Sequence, residues 1–362
     1  MKHIKSIALA ASTAAALMLG SGIASANNVV TVNTVQIFGT VDPAKINDYT
    51  EYMAGVNLYE ALTTLDGSGA IQPLLSESWS TSADGLTWTF KLKKGATFQD
   101  GSPIEAKDVV WSVNRLLAIN EGPSYLFEGV LSEGSVTEID SSTVQFKLEK
   151  TYAPFLTTTP ILFVVNSDLA KENAGDGDPW AQDYIANNSI GAGAFYLDSW
   201  ERGAGMTIKA YEGYHLGWSD TGIDEVRFVV TNEEATVKAL AASGELSMSS
   251  DAQAQETYDS IGALSDYRIE KYSTATNFYL KLNNSIAPTD DVNIRKAIAD
   301  ATDYDTITDV IFPGAPLTGP MPPIFADAYP DDIQPPSFDL AKAKEFVDSS
   351  SYAGKGPIDI EV

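Results

Sequence analysis

The sequence predicts an α/β fold, and three observations predict it. Apolar residues recur at every second position in 86–93 and 143–148, the period of a strand with one buried face. Residues 50–62 instead place Met53, Val56 or Asn57, and Tyr59 or Glu60 at helical spacing. Strand-like and helix-like segments then interleave along the whole chain, which is the α/β order.

The elements follow in turn. Residues 29–38 are β-branched and roughly alternating, a strand that Asp42-Pro43-Ala44 breaks. In the strand 86–93, Trp88, Phe90 and Leu92 share one face, and Asp84-Gly85 and Asp100-Gly101-Ser102-Pro103 supply turns on either side. Ala106 to Leu117 reads as a helix, and Ile161–Val165 as a short buried strand. The Gly-, Asp- and Asn-rich stretch 171–190 reads as a surface excursion. Residues 194–200 and 205–211 form a hairpin around Glu201-Arg202-Gly203-Ala204, and Glu225–Val230 is a strand. Asn232 is the expected cap of a helix that starts at Glu233-Glu234 and ends near Gly244. Phe278–Leu282 reads as a strand. Asp290 or Asp291 caps a helix through Ala301, and Tyr304–Ile311 continues as a second. Residues 313–336 carry 8 of the 17 prolines and read as an extended connection. Asp339 caps a last helix, Leu340 to Val347, and Ile358–Val362 begins a strand.

Composition narrows the function. The 362 residues contain no Cys, which excludes disulfides, a thiolate metal site, a Cys nucleophile and a lipidated N-terminal Cys. The 49 acids against 23 bases leave a net charge of −26, the wrong sign for nucleic acid or an anionic membrane surface. Residues 1–26 have Lys2 and Lys5, an apolar run from Ile7 to Leu19 and a final Ala24-Ser25-Ala26, which together make a secretory signal peptide cleaved before Asn27. Loss of those two lysines takes the charge from −26 to −28. A soluble periplasmic protein is expected.

The segment 75–116 carries Glu77, Ser78, Trp79, Asp84, Gly85, Leu86, Phe90, Lys94, Gly95, Phe98, Asp100, Gly101, Pro103, Asp108, Val109 and Val110 in an order that resembles the signature of the family 5 extracellular solute-binding proteins. Three further blocks are similar to that family. They are Gly191-Ala192-Gly193-Ala194-Phe195 with Trp200, residues 277–300, and Ala341-Lys342-Ala343-Lys344. Ala194 stands where the family has proline, and Asp303-Tyr304 departs from its usual D-R pair. The resemblance implies a two-lobe clamshell of the periplasmic-binding type. It implies domain I at 27–60 and 186–271, domain II at 61–185, and domain III at 272–362, with a lobe crossing at Tyr272–Thr276. Because the family continues well past this length, a C-terminally truncated second lobe is expected.

The same resemblance implies an ABC-importer receptor whose expected cargo is a di- or oligopeptide, delivered by lobe closure to a membrane permease. It places ligand contacts at Phe38, Gly39, Asn47, Asp48, Tyr49 and Tyr125. A tyrosine there combines apolar contact with a directional hydroxyl. Beside these positions the residues offer no catalytic set, no metal site and no cofactor motif, and a monomer is expected. His215, the one histidine of the mature chain, reads as a surface or interface residue beside Tyr214 and Trp218. Asp108 reads as a capping or dipole partner near a helix start. Other readings are an oligosaccharide, opine or nickel-chelate cargo, a secreted carboxylate hydrolase, and an adhesin or holdase.

Overall fold

A computed structural model describes residues 28–360, apart from 36–38, 220–221, 251–252, 272–276 and most of 312–336. The signal segment, Phe38 and the crossing expected at Tyr272–Thr276 lie outside the described residues. In chain order the elements begin with β1 (Val29–Thr34), α1 (Tyr49–Leu58), β2 (Glu60–Ala61), β3 (Thr63–Leu65), β4 (Ile71–Pro73), β5 (Ser76–Thr81), β6 (Thr87–Leu92) and α2 (Ala106–Ile119). Next come β7 (Val136–Asp140), β8 (Thr143–Lys147), α3 (Phe155–Thr158), β9 (Phe163–Val164), α4 (Ser167–Glu172) and α5 (Gln182–Ile185). The rest are β10 (Phe195–Glu201), β11 (Gly205–Ala210), β12 (Glu225–Val230), α6 (Glu234–Ala242), α7 (Gln255–Gly262), α8 (Val292–Ala301), α9 (Tyr304–Thr306) and α10 (Leu340–Asp348).

The chain divides into two compact units. One holds Met1–Val30, Phe38–Trp200 and Met206–Arg227; the other holds Thr31–Ile37, Glu201–Gly205 and Phe228–Val362. The first unit is built on an antiparallel sheet ordered β5-β6-β8-β7. Its register sets Trp79 opposite Phe90, and Phe90 opposite Val144. The alternation expected in 86–93 is present, because Phe90 and Leu92 are buried while Lys91 is exposed. Phe90 and Phe146 meet edge to face at 5.5 Å, and Phe146 meets Phe155 at the same distance. Helix α2 adds Val109, Val113 and Leu116 to this core. Burying each such side chain stabilises the unit by about 1.5–3 kcal/mol.

Helix α1 ends at Leu58, short of the expected 62, because Tyr59 is already extended (φ −127°, ψ 161°) and leads into β2. The Gly191-Ala192-Gly193 segment explains its composition by packing on that helix end. A Cβ at Gly191 or Gly193 would stand 2.2 Å from the Leu58 or Asn57 carbonyl oxygen. The Gln99 amide nitrogen closes the same junction by donating to the Leu58 and Phe195 carbonyls at 2.9 and 2.6 Å.

In the second unit, Val237, Ala241, Leu246 and Ile261 form a small core under α6 and α7. Asp291 caps α8 by accepting from the Asn293 amide, and its other oxygen accepts from Ser351. Asp339 caps α10 as expected. Three sequence expectations differ from what is found. Phe278–Leu282 is irregular and its Phe278 is 78% exposed; among the described residues no strand lies beside it to complete a ladder. The cap of α6 is Glu233 rather than Asn232, since the Glu233 amide is itself held by the Thr231 hydroxyl. Residues 358–360 are not in a strand.

Candidate functional site

The loop from Gly39 to Asp48 is built inward from a buried ion pair. Asp42 accepts two bonds from Arg115, Nη1 to Oδ1 and Nη2 to Oδ2, each 2.6 Å long. The two side chains are 0% and 1% exposed. Arg115 also donates from Nε to the Trp180 carbonyl at 2.8 Å, so the guanidinium fork is filled by a geometry that suits it. Asp42 then shapes its own loop, with Oδ1 taking the Ala44 amide at 3.0 Å and its carbonyl taking the Lys45 amide at 2.9 Å. Tyr59 lies wholly buried nearby. Desolvation, then the Asp42 charge, pushes its hydroxyl above the usual range.

The other end of the loop starts α1. Asp48 caps that helix by accepting from the Thr50 amide at 2.7 Å and the Thr50 hydroxyl at 2.5 Å. Its neighbours Asn47 and Tyr49 are exposed, Tyr49 by 51%. Gly39 is exposed and its amide donates to the Glu51 carboxylate at 3.0 Å.

Tyr125 joins this group through a close backbone approach. The helical turn Gly122–Phe127 begins at Gly122, whose φ is +49°. A Cβ there would stand 2.8 Å from the Ala44 and Ile46 carbonyl oxygens, so glycine alone lets the turn rest on the loop. Lys45 and Glu121 pair across the same junction at 3.6 Å. Tyr125 is 70% exposed, near enough to Tyr52 to add to its shift; burial first and Tyr125 second push the Tyr52 hydroxyl up to about 12. Gly39, Asn47, Asp48, Tyr49 and Tyr125 thus fall on one loop and the turn docked against it.

Several residues of this arrangement were not singled out from the sequence. Glu51 and Arg115 sit in helices where charge ordinarily faces solvent. The signal for Arg115 was its position on the apolar stripe with Val109, Ser112, Val113 and Leu116. The surface reading of His215 is corrected. Its side chain is 7% exposed, and Nε2 lies 2.6 Å from Oε2 of Glu60, itself 3% exposed. Tyr214 donates to the other Glu60 oxygen at 2.7 Å, and burial, then the Glu60 charge, pushes that phenol above its usual range. The cause is β2, which carries Glu60 into the interior by pairing with β9. Asp108 lies in a capping box, its Oδ2 taking the Glu105 amide at 2.9 Å and its Oδ1 taking the Ser167 amide and hydroxyl.

Exposed tyrosines and a polar loop pre-tied by buried bonds thus sit together on an α/β scaffold. The chain belongs to the bacterial extracellular solute-binding proteins of family 5, whose middle-region model matches residues 70–360. Among curated relatives it is 30% identical over 292 residues to the probable D,D-dipeptide-binding periplasmic protein DdpA of Escherichia coli K12, covering 78% of this chain and 55% of that one. It is 26% identical to the glutathione-binding protein GsiB of Shigella flexneri, covering 94% and 64%. The chain therefore spans between about half and two thirds of the length of these relatives. Its fold matches the oligopeptide-binding protein AppA of Bacillus subtilis in complex with a nonapeptide, with a TM-score of 0.80 at 21% identity over 92% of this chain and 66% of that one. It also matches MoaA of A. tumefaciens R10 in complex with mannopinic acid, with a TM-score of 0.77 at 21% identity over 90% and 65%. No helix among the described residues is long and apolar enough to cross a membrane.

Proposed function

We propose that this chain is the periplasmic receptor of an ABC importer, monomeric, capturing a di- or oligopeptide between two lobes and delivering it to a membrane permease. Gly39, Asn47, Asp48, Tyr49 and Tyr125, with Phe38, form its contribution to the ligand surface. The lobes follow the proposed domain limits, 27–60 with 186–271 and 61–185 for the first, and 272–362 for the second. The reading is supported by family membership and by the binding roles that the names of DdpA and GsiB give those proteins.

The observation that carries it is the docking of Gly122 on Ala44 and Ile46, which sets an exposed tyrosine beside a loop whose shape is fixed before any ligand arrives. A preorganised loop loses little ordering entropy on binding. Two tyrosines add large contact area with few rotatable bonds. Closure of one lobe on the other would exclude water and strengthen the polar contacts.

A thermal-shift series with L-Ala-L-Ala, L-Ala-L-Ala-L-Ala and glutathione tests the reading. A ligand that binds only the folded state at 100 times its Kd adds about 2.7 kcal/mol, which reads as a rise of several degrees. No shift with any peptide, together with a shift on mannopinic acid, would replace the peptide by an opine. The fold shared with the mannopinic acid complex makes that the second reading.

A further inference from the structure

We propose that Glu51 is a positioning residue of the binding loop. Its carboxylate holds the two ends of that loop and takes the Gly39 and Asn47 amides out of the set a ligand can reach. The inference deepens the peptide-binding reading above and rests on it. Glu51 lies in the first turn of α1, where a negative charge is favoured by the helix dipole, and it is 7% exposed. Oε1 accepts from the Gly39 amide at 3.0 Å and Oε2 from the Asn47 amide at 2.9 Å. One carboxylate thereby closes residues 39–47 into a ring. Position 39 is shaped to the same contact, since a Cβ there would stand 2.8 Å from Oε1.

The consequence concerns which backbone groups remain. The amides of Asp42, Ala44 and Lys45 are taken by Thr40 Oγ1, Asp42 Oδ1 and the Asp42 carbonyl, and Pro43 has no amide hydrogen. With Gly39 and Asn47 held by Glu51, the donors at 39, 42, 44, 45 and 47 are all engaged. Lys45, the loop's own cation, is paired with Glu121. Asn47 keeps an exposed side-chain amide, which carries both N–H donors and an oxygen acceptor. A ligand carboxylate laid along these five positions would find their backbone amides occupied, whereas a ligand N–H could be met by the exposed Asn47 side-chain oxygen. At these five positions the backbone therefore offers a peptide's carboxyl end no amide donor.

The test combines amide hydrogen exchange in the ligand-free protein with titration calorimetry on L-Ala-L-Ala-L-Ala. The variants are Glu51→Ala and Glu51→Gln, each first shown folded by circular dichroism. In the unsubstituted protein the Gly39 and Asn47 amides are expected to exchange at least a hundredfold more slowly than in Glu51→Ala. Glu51→Gln, which keeps one acceptor oxygen, should retain protection at one of the two amides. Affinity for the tripeptide should fall at least tenfold in Glu51→Ala and less in Glu51→Gln. Replacing the tripeptide's central amide by an ester removes one ligand donor, and the resulting loss should shrink in Glu51→Ala if the two act through the same loop. Unprotected Gly39 and Asn47 amides, or protection and affinity unchanged in Glu51→Ala, would overturn the proposal. If the tripeptide fails to bind the unsubstituted protein, the peptide reading falls, and the exchange measurement still decides whether Glu51 holds the loop.

Discussion

Asp42 and Arg115 are the two side chains on which the loop's position depends. Both are buried and each is the other's main partner, so deleting one strands a charge away from water. Arg115→Met is expected to lower the unfolding free energy by about 3–5 kcal/mol in a urea titration, the usual cost of such a stranded charge. Replacing Asp42 and Arg115 together by apolar residues should recover most of it. A single-variant loss below about 1 kcal/mol would show that the pair does not anchor the loop. Tyr125 is the opposite case, 70% exposed and structurally light. Tyr125→Ala should leave the melting temperature unchanged while weakening ligand binding about tenfold, as for an exposed aromatic contact. Gly122→Ala should weaken binding comparably without touching the ligand, because the added carbon drives the turn off Ala44 and Ile46. Equal affinities for Gly122→Ala and the unsubstituted protein would sink that docking argument. The motifs around Asn47, Tyr49 and Tyr125 singled them out, and the structure brings them onto one loop and the turn docked against it. The roles of Glu51 and His215 were not legible in the sequence, because their partners, the Gly39 and Asn47 amides and Glu60, come together only through tertiary folding.

At the scale of elements, caps were among the legible features, since Asp291 and Asp339 each bond an amide two or three residues ahead, although the cap expected at Asn232 is Glu233. Strand partners were not, because the order β5-β6-β8-β7 joins segments separated by the whole of α2. Asp108 links both kinds of feature. It sits in the first turn of α2 and also receives the Ser167 amide and hydroxyl at the start of α4. Burial raises its pKa above 3.8 despite the opposing hydrogen bonds from Ser167 and Glu105. The folded state therefore binds this proton more tightly than the unfolded chain. The Asp108 contribution to stability is then largest below pH 3.8 and declines as pH rises through the folded pKa. Chemical denaturation of the unsubstituted protein and of Asp108→Asn across that window should show the difference, unsubstituted minus variant, falling as pH rises. A difference that grows with pH would mean the hydrogen bonds outweigh burial. Asp168, held low by the Lys107 hydrogen bond on the exposed side of α4, carries the opposite slope, so the variant comparison is needed to isolate Asp108.

Charge acts on the whole molecule. The 49 acidic and 23 basic side chains were legible from the first reading, and they bear on stability as well as on partners. Most ion pairs among the described residues have an exposed member, as in Lys344–Asp348, Arg268–Glu270 and Lys91–Glu77. Pairs of that kind contribute little, with a median of about 0–1 kcal/mol, and salt weakens them. The surplus of negative charge is a larger and opposite effect, since mutual repulsion favours the expanded chain. Salt shortens the reach of that repulsion, from about 30 Å at 0.01 M to about 3 Å at 1 M. The buried Asp42–Arg115 pair is shielded from solvent and should hardly respond. Repulsion should thus be relieved more than attraction is lost, and the melting temperature should rise with NaCl from 10 to 500 mM. The rise should be steepest at the low end, where the screening length changes most, and choline chloride should reproduce it at equal ionic strength. A melting temperature that falls over this range would mean that the surface pairs, and not the net charge of −26, dominate the protein's long-range electrostatics.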